Sequence, residues 1–399
     1  MAIFRPIQAY RPDDSKLPQI AQKSSDFPGK KALVHAIREN KLSYLNLTNA
    51  HQLSENADNP QKAFDHAQRY IESMFEDGHF VEDDQDCYYV YRQTGLQRSC
   101  TGVLGRADIE EYDNNIIKKH ELTRTNSEHL IAELFRNTRV LGEPVLLGHL
   151  DHHALAQTLR EVTSSPPDCQ FRSEFGENHE LWLVKDESKI EKIQEQVAEI
   201  ESLYIMDGHH RMAALSNLHS FNPEEKGRYF LANLVAESEL HIGPFHRKVE
   251  GVEIDVPNFL IELSHIFDIQ SFGSDLKIYN PGQRNEFGML LDGNWYSIKL
   301  RNPHHLLDVT ILESEILAPV FDILNTQTDP RLHFIKNVEE MEVIDEMKSQ
   351  PDCNSVLFTL HPCSFDEIRT VSEQGGTMPP KSTYIQPRSR PGLVVQKFR

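Results

Sequence analysis

The chain has 399 residues, 39% of them hydrophobic and 26% charged, with a formal net charge of −20. That length exceeds what one compact core usually serves, so two or three domains are expected, with ample apolar residues to build them. The acidic balance excludes broad binding to nucleic acid or to an anionic membrane, because both need clustered cations; any anionic ligand must meet a local basic pocket.

Five cysteines, Cys87, Cys100, Cys169, Cys353 and Cys363, are odd in number and lack Cys-x-x-Cys spacing, which fits a reducing compartment. The opening Met-Ala-Ile-Phe-Arg-Pro has no apolar run resembling a signal, and no stretch has the length of a membrane span. A cytoplasmic protein is therefore expected.

Near the start, Lys30 to Glu39 reads as a helix, and the alternation in Ser43-Tyr44-Leu45-Asn46-Leu47 predicts a strand. Phe64, Ala67, Tyr70, Ile71, Met74 and Phe75 share one face at helical spacing, closed by Asp77-Gly78. Tyr88 to Tyr91 and Thr101 to Gly105 predict two neighbouring strands, in which the tyrosines serve sheet packing rather than base stacking.

Ile116 to Arg124 reads as a strand running into polar residues, followed by a helix carrying Leu130, Ile131, Leu134 and Phe135. Glu121 lies at that strand end, with His120 and Arg124 nearby in sequence to adjust its pKa; it is either a general base or a solvated surface carboxylate. A strand at Pro144 to Leu147 precedes His149-Leu150-Asp151-His152-His153, whose spacing is not that of a standard zinc site. Leu181 to Val184 predicts a strand. Ile190, Ile193, Val197 and Ile200 mark an amphipathic helix.

The run Tyr204-Ile205-Met206-Asp207-Gly208-His209-His210-Arg211-Met212-Ala213-Ala214-Leu215 reads as an apolar strand, a polar turn and a helix start. A helix N-terminus offers orphan N–H groups and partial positive charge to a phosphate, and Gly208 permits close backbone approach. His209, His210 and Arg211 add donors, while Asp207 suits a Mg²⁺ or the orientation of a histidine. The same residues also suit an ordinary hydrogen-bonded turn with a capping aspartate.

Arg228 to Val235 predicts a strand, and Leu240 to Arg247 another that ends in a basic turn at His246 and Arg247, either an anion site or plain surface. Beyond about residue 251 come a helix over Phe259 to Phe267, a hairpin across Asp292-Gly293, and a helix from Val309 to Ile323. Gly375 to Tyr384 closes this part as a proline-bearing cationic loop, in which Lys381 has Ser382 and Thr383 beside it. That loop lacks the glycines and setting of a P-loop, and it reads equally as a surface turn.

Several of these stretches coincide with one family. The Asp207 to Arg211 turn, His120-Glu121-x-Thr123, Thr138-Arg139, Pro244-x-His246-Arg247 and Met378-Pro379-Pro380-Lys381-Ser382-Thr383-Tyr384 with Gly392-Leu393-Val394 resemble the domain-of-unknown-function family 1015 across the chain. That family often carries Pro-Pro-Tyr-Asp-Val near its start, where this chain has Ser25-Asp26-Phe27-Pro28.

The central part also resembles the free serine kinases. The resemblance implies a mixed α/β protein with a ParB/sulfiredoxin-like central domain over 111–250, an insertion near 148–185, an N-terminal α/β region over 1–110 and a C-terminal α/β domain over 251–399. It implies ATP or ADP as co-substrate with Mg²⁺, free L-serine or a similar metabolite as acceptor, and Glu121 as the base. Asp207 is then the metal ligand and, with His209, part of the catalytic set; Gly208, His210 and Arg211 bind phosphate, with Arg247 and Lys381 as further phosphate candidates. The alternatives are a non-catalytic nucleotide- or metabolite-binding regulator and a metal-dependent phosphoesterase using His209, His210 and Asp207. Sulfiredoxin chemistry is not expected, since histidines stand where its cysteine would fall.

Overall fold

The computed structural model describes residues 2–53, 59–95, 98–221, 228–336 and 338–398. The fold is mixed α/β, and the chain divides into two compact units. The first comprises 1–119, 123–240 and 387–399; the second comprises 120–122 and 241–386.

The first unit is built on a nine-stranded sheet. Its strands are β1 (Phe4–Arg5), β2 (Tyr88–Thr94), β3 (Ser99–Asp108), β4 (Ile117–Lys118), β5 (Val145–His149), β6 (Cys169–Arg172), β7 (Asn178–Val184), β8 (Leu203–Asp207) and β9 (Tyr229–Ala236). Their order is β4-β8-β5-β9-β3-β2-β7-β6, with β1 pairing β3. Most neighbours are antiparallel, but β5 runs parallel to β9 and β4 parallel to β8. Among its helices are α1 (Pro60–Glu76), α2 (Thr125–Thr138), α3 (His153–Val162), α4 (Glu187–Ala198) and α5 (His209–Phe221), with α2 packed on both α1 and α5.

Apolar alternation explains the core. Val103, Leu147, Ile205 and Leu234 from adjacent strands meet Met212 and Ala214 of α5, all nearly sealed from solvent. Tyr88, Tyr89 and Tyr91 are buried with their hydroxyls satisfied by the Phe4 carbonyl, Asp83 and His179, at 2.7, 2.5 and 2.9 Å. They are core residues with polar tips, as sheet packing requires.

Ser43 to Leu47 departs from its alternating pattern. The chain there forms a one-turn helix, Leu45–Thr48, whose start is held by Ser43 Oγ accepting from the Leu45 amide at 3.3 Å. Leu45 and Leu47 are both buried, so packing on both sides overrides the local period.

The second unit carries a six-stranded antiparallel sheet. Its strands are β10 (Phe245–Glu250), β11 (Phe267–Gly273), β12 (Glu286–Leu291), β13 (Asn294–Leu300), β14 (Leu332–Lys336) and β15 (Ser355–Leu360), in the order β11-β13-β12-β15-β10-β14. Asp292 and Gly293 at φ 47° and 70° form the β12–β13 turn, the positive-φ pair a two-residue hairpin demands. Val309 to Ile323 is helical mainly as Asp308–Leu312, a π-helical stretch Glu313–Leu317, and Ala318–Phe321.

His246 and Arg247 lie within β10 rather than in a basic turn. Pairing with β14 and β15 on both sides makes β10 a central strand, and both side chains are buried.

Candidate active site

Asp207 ends β8 where the register to β5 shifts: Ile205 faces Leu147, but Asp207 faces Leu146. Such a bulge re-aims the following side chain, here onto the start of α5. Gly208 follows at φ +100°, a region that disfavours any Cβ, and a Cβ there would sit 2.9 Å from Arg211 Nη2. The first closed turn of α5 is the Met212 amide to the Gly208 carbonyl at 2.9 Å. The amides of residues 209 to 211 thus belong to the helix start, which has no i−4 carbonyl to offer them.

Two guanidinium groups converge on this turn. Arg211 Nη2 donates to Asp207 Oδ2 at 2.6 Å, and its Nη1 reaches both the Glu143 carboxylate at 2.9 Å and the Glu143 carbonyl at 3.1 Å. Arg388 Nη2 lies 3.3 Å from Asp207 Oδ1. Arg211 is 11% exposed and Arg388 44%, so the first is a fixed cation and the second a solvent-accessible one. His210 Nε2 accepts from the Arg124 amide at 3.2 Å, which in a neutral ring places the proton on Nδ1. His209 is buried against the helix start, 6% exposed.

The segment 387–398 supports the site from behind. The Gly392 amide donates to the Gly142 carbonyl at 2.7 Å, next to Glu143, and Gly392 at φ +74° lies so close to the Tyr44 ring that a Cβ would clash at 2.8 Å. Leu393 and Val394 enter the core. Arg390, 2% exposed, donates to Asp26, Glu177 and His179 at 2.8, 2.7 and 2.9 Å. Asp26, in the stretch that departs from the family's opening motif, is therefore a structural anion in this chain.

The remaining candidates belong to the second unit. The His120 carbonyl accepts from the Met378 amide at 2.7 Å, which ties the segment carrying Glu121 to the Met-Pro-Pro-Lys-Ser-Thr loop. Arg247, fully buried, donates to the carbonyls of Phe245 at 2.9 Å and Pro380 at 3.2 Å, and stacks 4.6 Å from the Phe334 ring centroid. Burial pushes its pKa down to about 10, and its guanidinium, spent on main-chain carbonyls, positions the loop from inside. Lys381 is exposed at φ +56°, with Nζ 5.7 Å from the Phe245 ring centroid. The structure thus gathers Asp207 to Arg211 in one unit, and the Glu121 segment, Arg247 and Lys381 in the other.

Glu143 and Arg388 were absent from the sequence expectations as parts of the turn. Arg388 carries a sequence signal, the basic pair it forms with Arg390; Glu143 carries none, because its role comes from the approach of Gly142 to Gly392.

For a Mg²⁺ at Asp207, both carboxylate oxygens already face arginines. No group of three or more His, Cys, Asp or Glu side chains among the described residues is arranged to hold a metal ion. A metal-ligand role for Asp207 therefore requires the exposed Arg388 to move off Oδ1.

The chain belongs to the family described as protein of unknown function (DUF1015), whose model matches residues 4–327. No curated protein matches it. Among solved structures it is similar to SbnI from Staphylococcus aureus, C-terminally truncated, at 13% identity and TM-score 0.39 over 72% of this chain and 84% of that one. A free serine kinase mutant in complex with ADP is similar at 12% identity and TM-score 0.40, over 74% and 91%. A conserved hypothetical protein from Pyrococcus furiosus follows at 14% identity and TM-score 0.34, over 73% and 94%.

Proposed function

We propose that the chain is a small-molecule phosphotransferase whose first unit is ParB/sulfiredoxin-like, moving a phosphoryl group from ATP or ADP to the hydroxyl of free L-serine or a similar metabolite. The observation that carries this reading is the convergence of Arg211 and Arg388 on Asp207 at the start of α5. A helix start with two guanidinium groups offers a phosphate both N–H donors and charge, in a protein whose net charge is −20.

In this reading the amides of residues 209 to 211 and the Arg211 guanidinium cradle phosphate oxygens, while Arg388 leaves Asp207 and closes on the moving phosphoryl group. His210, holding its Nδ1 proton, donates to phosphate, and His209 joins Asp207 in the catalytic set. Glu121 takes the proton from the acceptor hydroxyl as the O–P bond forms and the bond to the leaving nucleotide breaks. Mg²⁺ bound with the nucleotide would neutralise phosphate charge, with Asp207 as its protein ligand. Lys381 is a third candidate cation for phosphate, on a loop that Arg247 positions.

Titration calorimetry with ADP and Mg²⁺ tests the cradle. Saturable binding that weakens at least tenfold in Arg211→Gln supports the reading; absence of binding overturns it. Binding without transfer to any hydroxylated acceptor favours a nucleotide-binding regulator.

A further inference from the structure

A cavity of about 350 Å³ lies in the first unit at the other end of the strands that carry the Asp207 turn. Asp207 faces Leu146 near the beginning of β5, whereas His149, at the end of β5, lines the cavity. Strands β5 and β9 are parallel, with His149 opposite Ala236, and ligands in α/β sheets commonly settle outside the carboxyl ends of such strands. The volume is within the range of small-molecule sites.

The lining divides by chemistry. Leu155, Ala156 and Leu159 of α3, with Leu234 of β9, give an apolar wall. His149 is 3% exposed, and its Nδ1 donates to the Leu150 carbonyl at 2.7 Å. That bond fixes the tautomer and leaves Nε2 as a lone-pair acceptor with no hydrogen-bond partner among the described residues. Burial lowers its pKa.

The charged groups are unequally committed. Asp151 accepts from the Ser238 amide and hydroxyl at 3.3 and 2.7 Å, and Glu239 accepts from the Thr101 amide at 2.8 Å. Arg92 lies 3.8 Å from Glu180 and 5.0 Å over the Trp182 ring. Arg160, on α3, has no side-chain hydrogen bond or ion pair among the described residues and lines the cavity. An uncommitted guanidinium, an apolar wall and the acceptor nitrogen of His149 meet in one space.

We propose that this cavity is a second ligand site, taking a small apolar α-hydroxy or α-amino acid. Its carboxylate meets Arg160, its side chain lies on Leu155, Leu159 and Leu234, and its α O–H or N–H donates to His149 Nε2. The site is separate from the phosphate turn and stands whether or not the transferase reading holds.

The test is titration calorimetry on the full chain with L-phenyllactate, L-phenylalanine and 3-phenylpropionate, the last lacking the α donor. Saturable binding of the first two is expected, with 3-phenylpropionate at least tenfold weaker. Arg160→Ala, at an exposed position, is expected to weaken binding at least tenfold, and Leu159→Trp to abolish it by filling the space. Arg211→Gln should leave it unchanged. No saturable binding of any probe, or binding unaffected by both cavity variants, overturns the proposal.

Discussion

Arg388 stands 3.3 Å from Asp207 although the two are far apart in sequence, and Arg211 takes the other oxygen of the same carboxylate. The exposed pair is worth roughly 0–1 kcal/mol of stability. Arg388→Gln is therefore expected to leave the melting temperature nearly unchanged while weakening ADP binding about fivefold or more, as befits loss of a charge-assisted phosphate contact. Calorimetry and a thermal melt on the same sample read both; unaltered ADP affinity would remove Arg388 from the site.

Gly208→Ala tests the turn's backbone. At φ +100°, with Arg211 Nη2 only 2.9 Å from the new methyl, the strain is on the order of 1–3 kcal/mol. A lower urea midpoint together with weaker nucleotide binding is expected. A variant matching the parent in both would show that the turn does not depend on this conformation.

Glu111 is buried, accepts from the Ile3 amide at 2.6 Å, and has its carboxyl pushed up to about 7 by burial. A raised carboxyl pKa means that the folded state binds more protons than the unfolded state between the ordinary value of 4.5 and about 7. Stability associated with this group is thus full below about 4.5 and declines as pH rises towards 7. Glu111→Gln, which keeps the amide acceptor, should melt several degrees higher than the parent at pH 8, with the difference vanishing near pH 4.5. Equal melting temperatures across that window would contradict the burial argument.

His120 gives the opposite sign. Burial lowers its pKa from 6.5 to about 4, so the unfolded state binds more protons in that window. Its contribution is present above 6.5 and is lost as pH falls through 4. His120→Gln should flatten the acid limb of the stability profile, read by urea unfolding at stepped pH; a limb as steep as the parent's would assign acid sensitivity elsewhere.

Regular elements with long, clear periodicity were legible in the sequence. The Phe64 to Phe75 stripe became α1, and Asp292-Gly293 turned the hairpin as its positive-φ requirement demands. Ser43 to Leu47 was misread because five alternating residues cannot distinguish a strand from one buried helical turn. His246 and Arg247 looked like a surface turn because charge suggests solvent, yet Glu340 at 2.6 Å from His246 and main-chain carbonyls around Arg247 let a central strand bury them. The core of the candidate site, Asp207 to Arg211, was readable as a strand, turn and helix start. Its supporting residues were not, because Glu143 and Arg388 reach it only through tertiary packing.

The most direct measurement is mass spectrometry for O-phosphoserine after incubating the protein with Mg²⁺, L-serine and either ATP or ADP. Product should accumulate with the parent chain and disappear in both Glu121→Gln and Asp207→Asn, while Glu121→Gln still binds ADP. Product formed by Glu121→Gln at the parental rate would contradict the assignment of the base, and absence of product in the parent with either nucleotide would contradict serine as the acceptor.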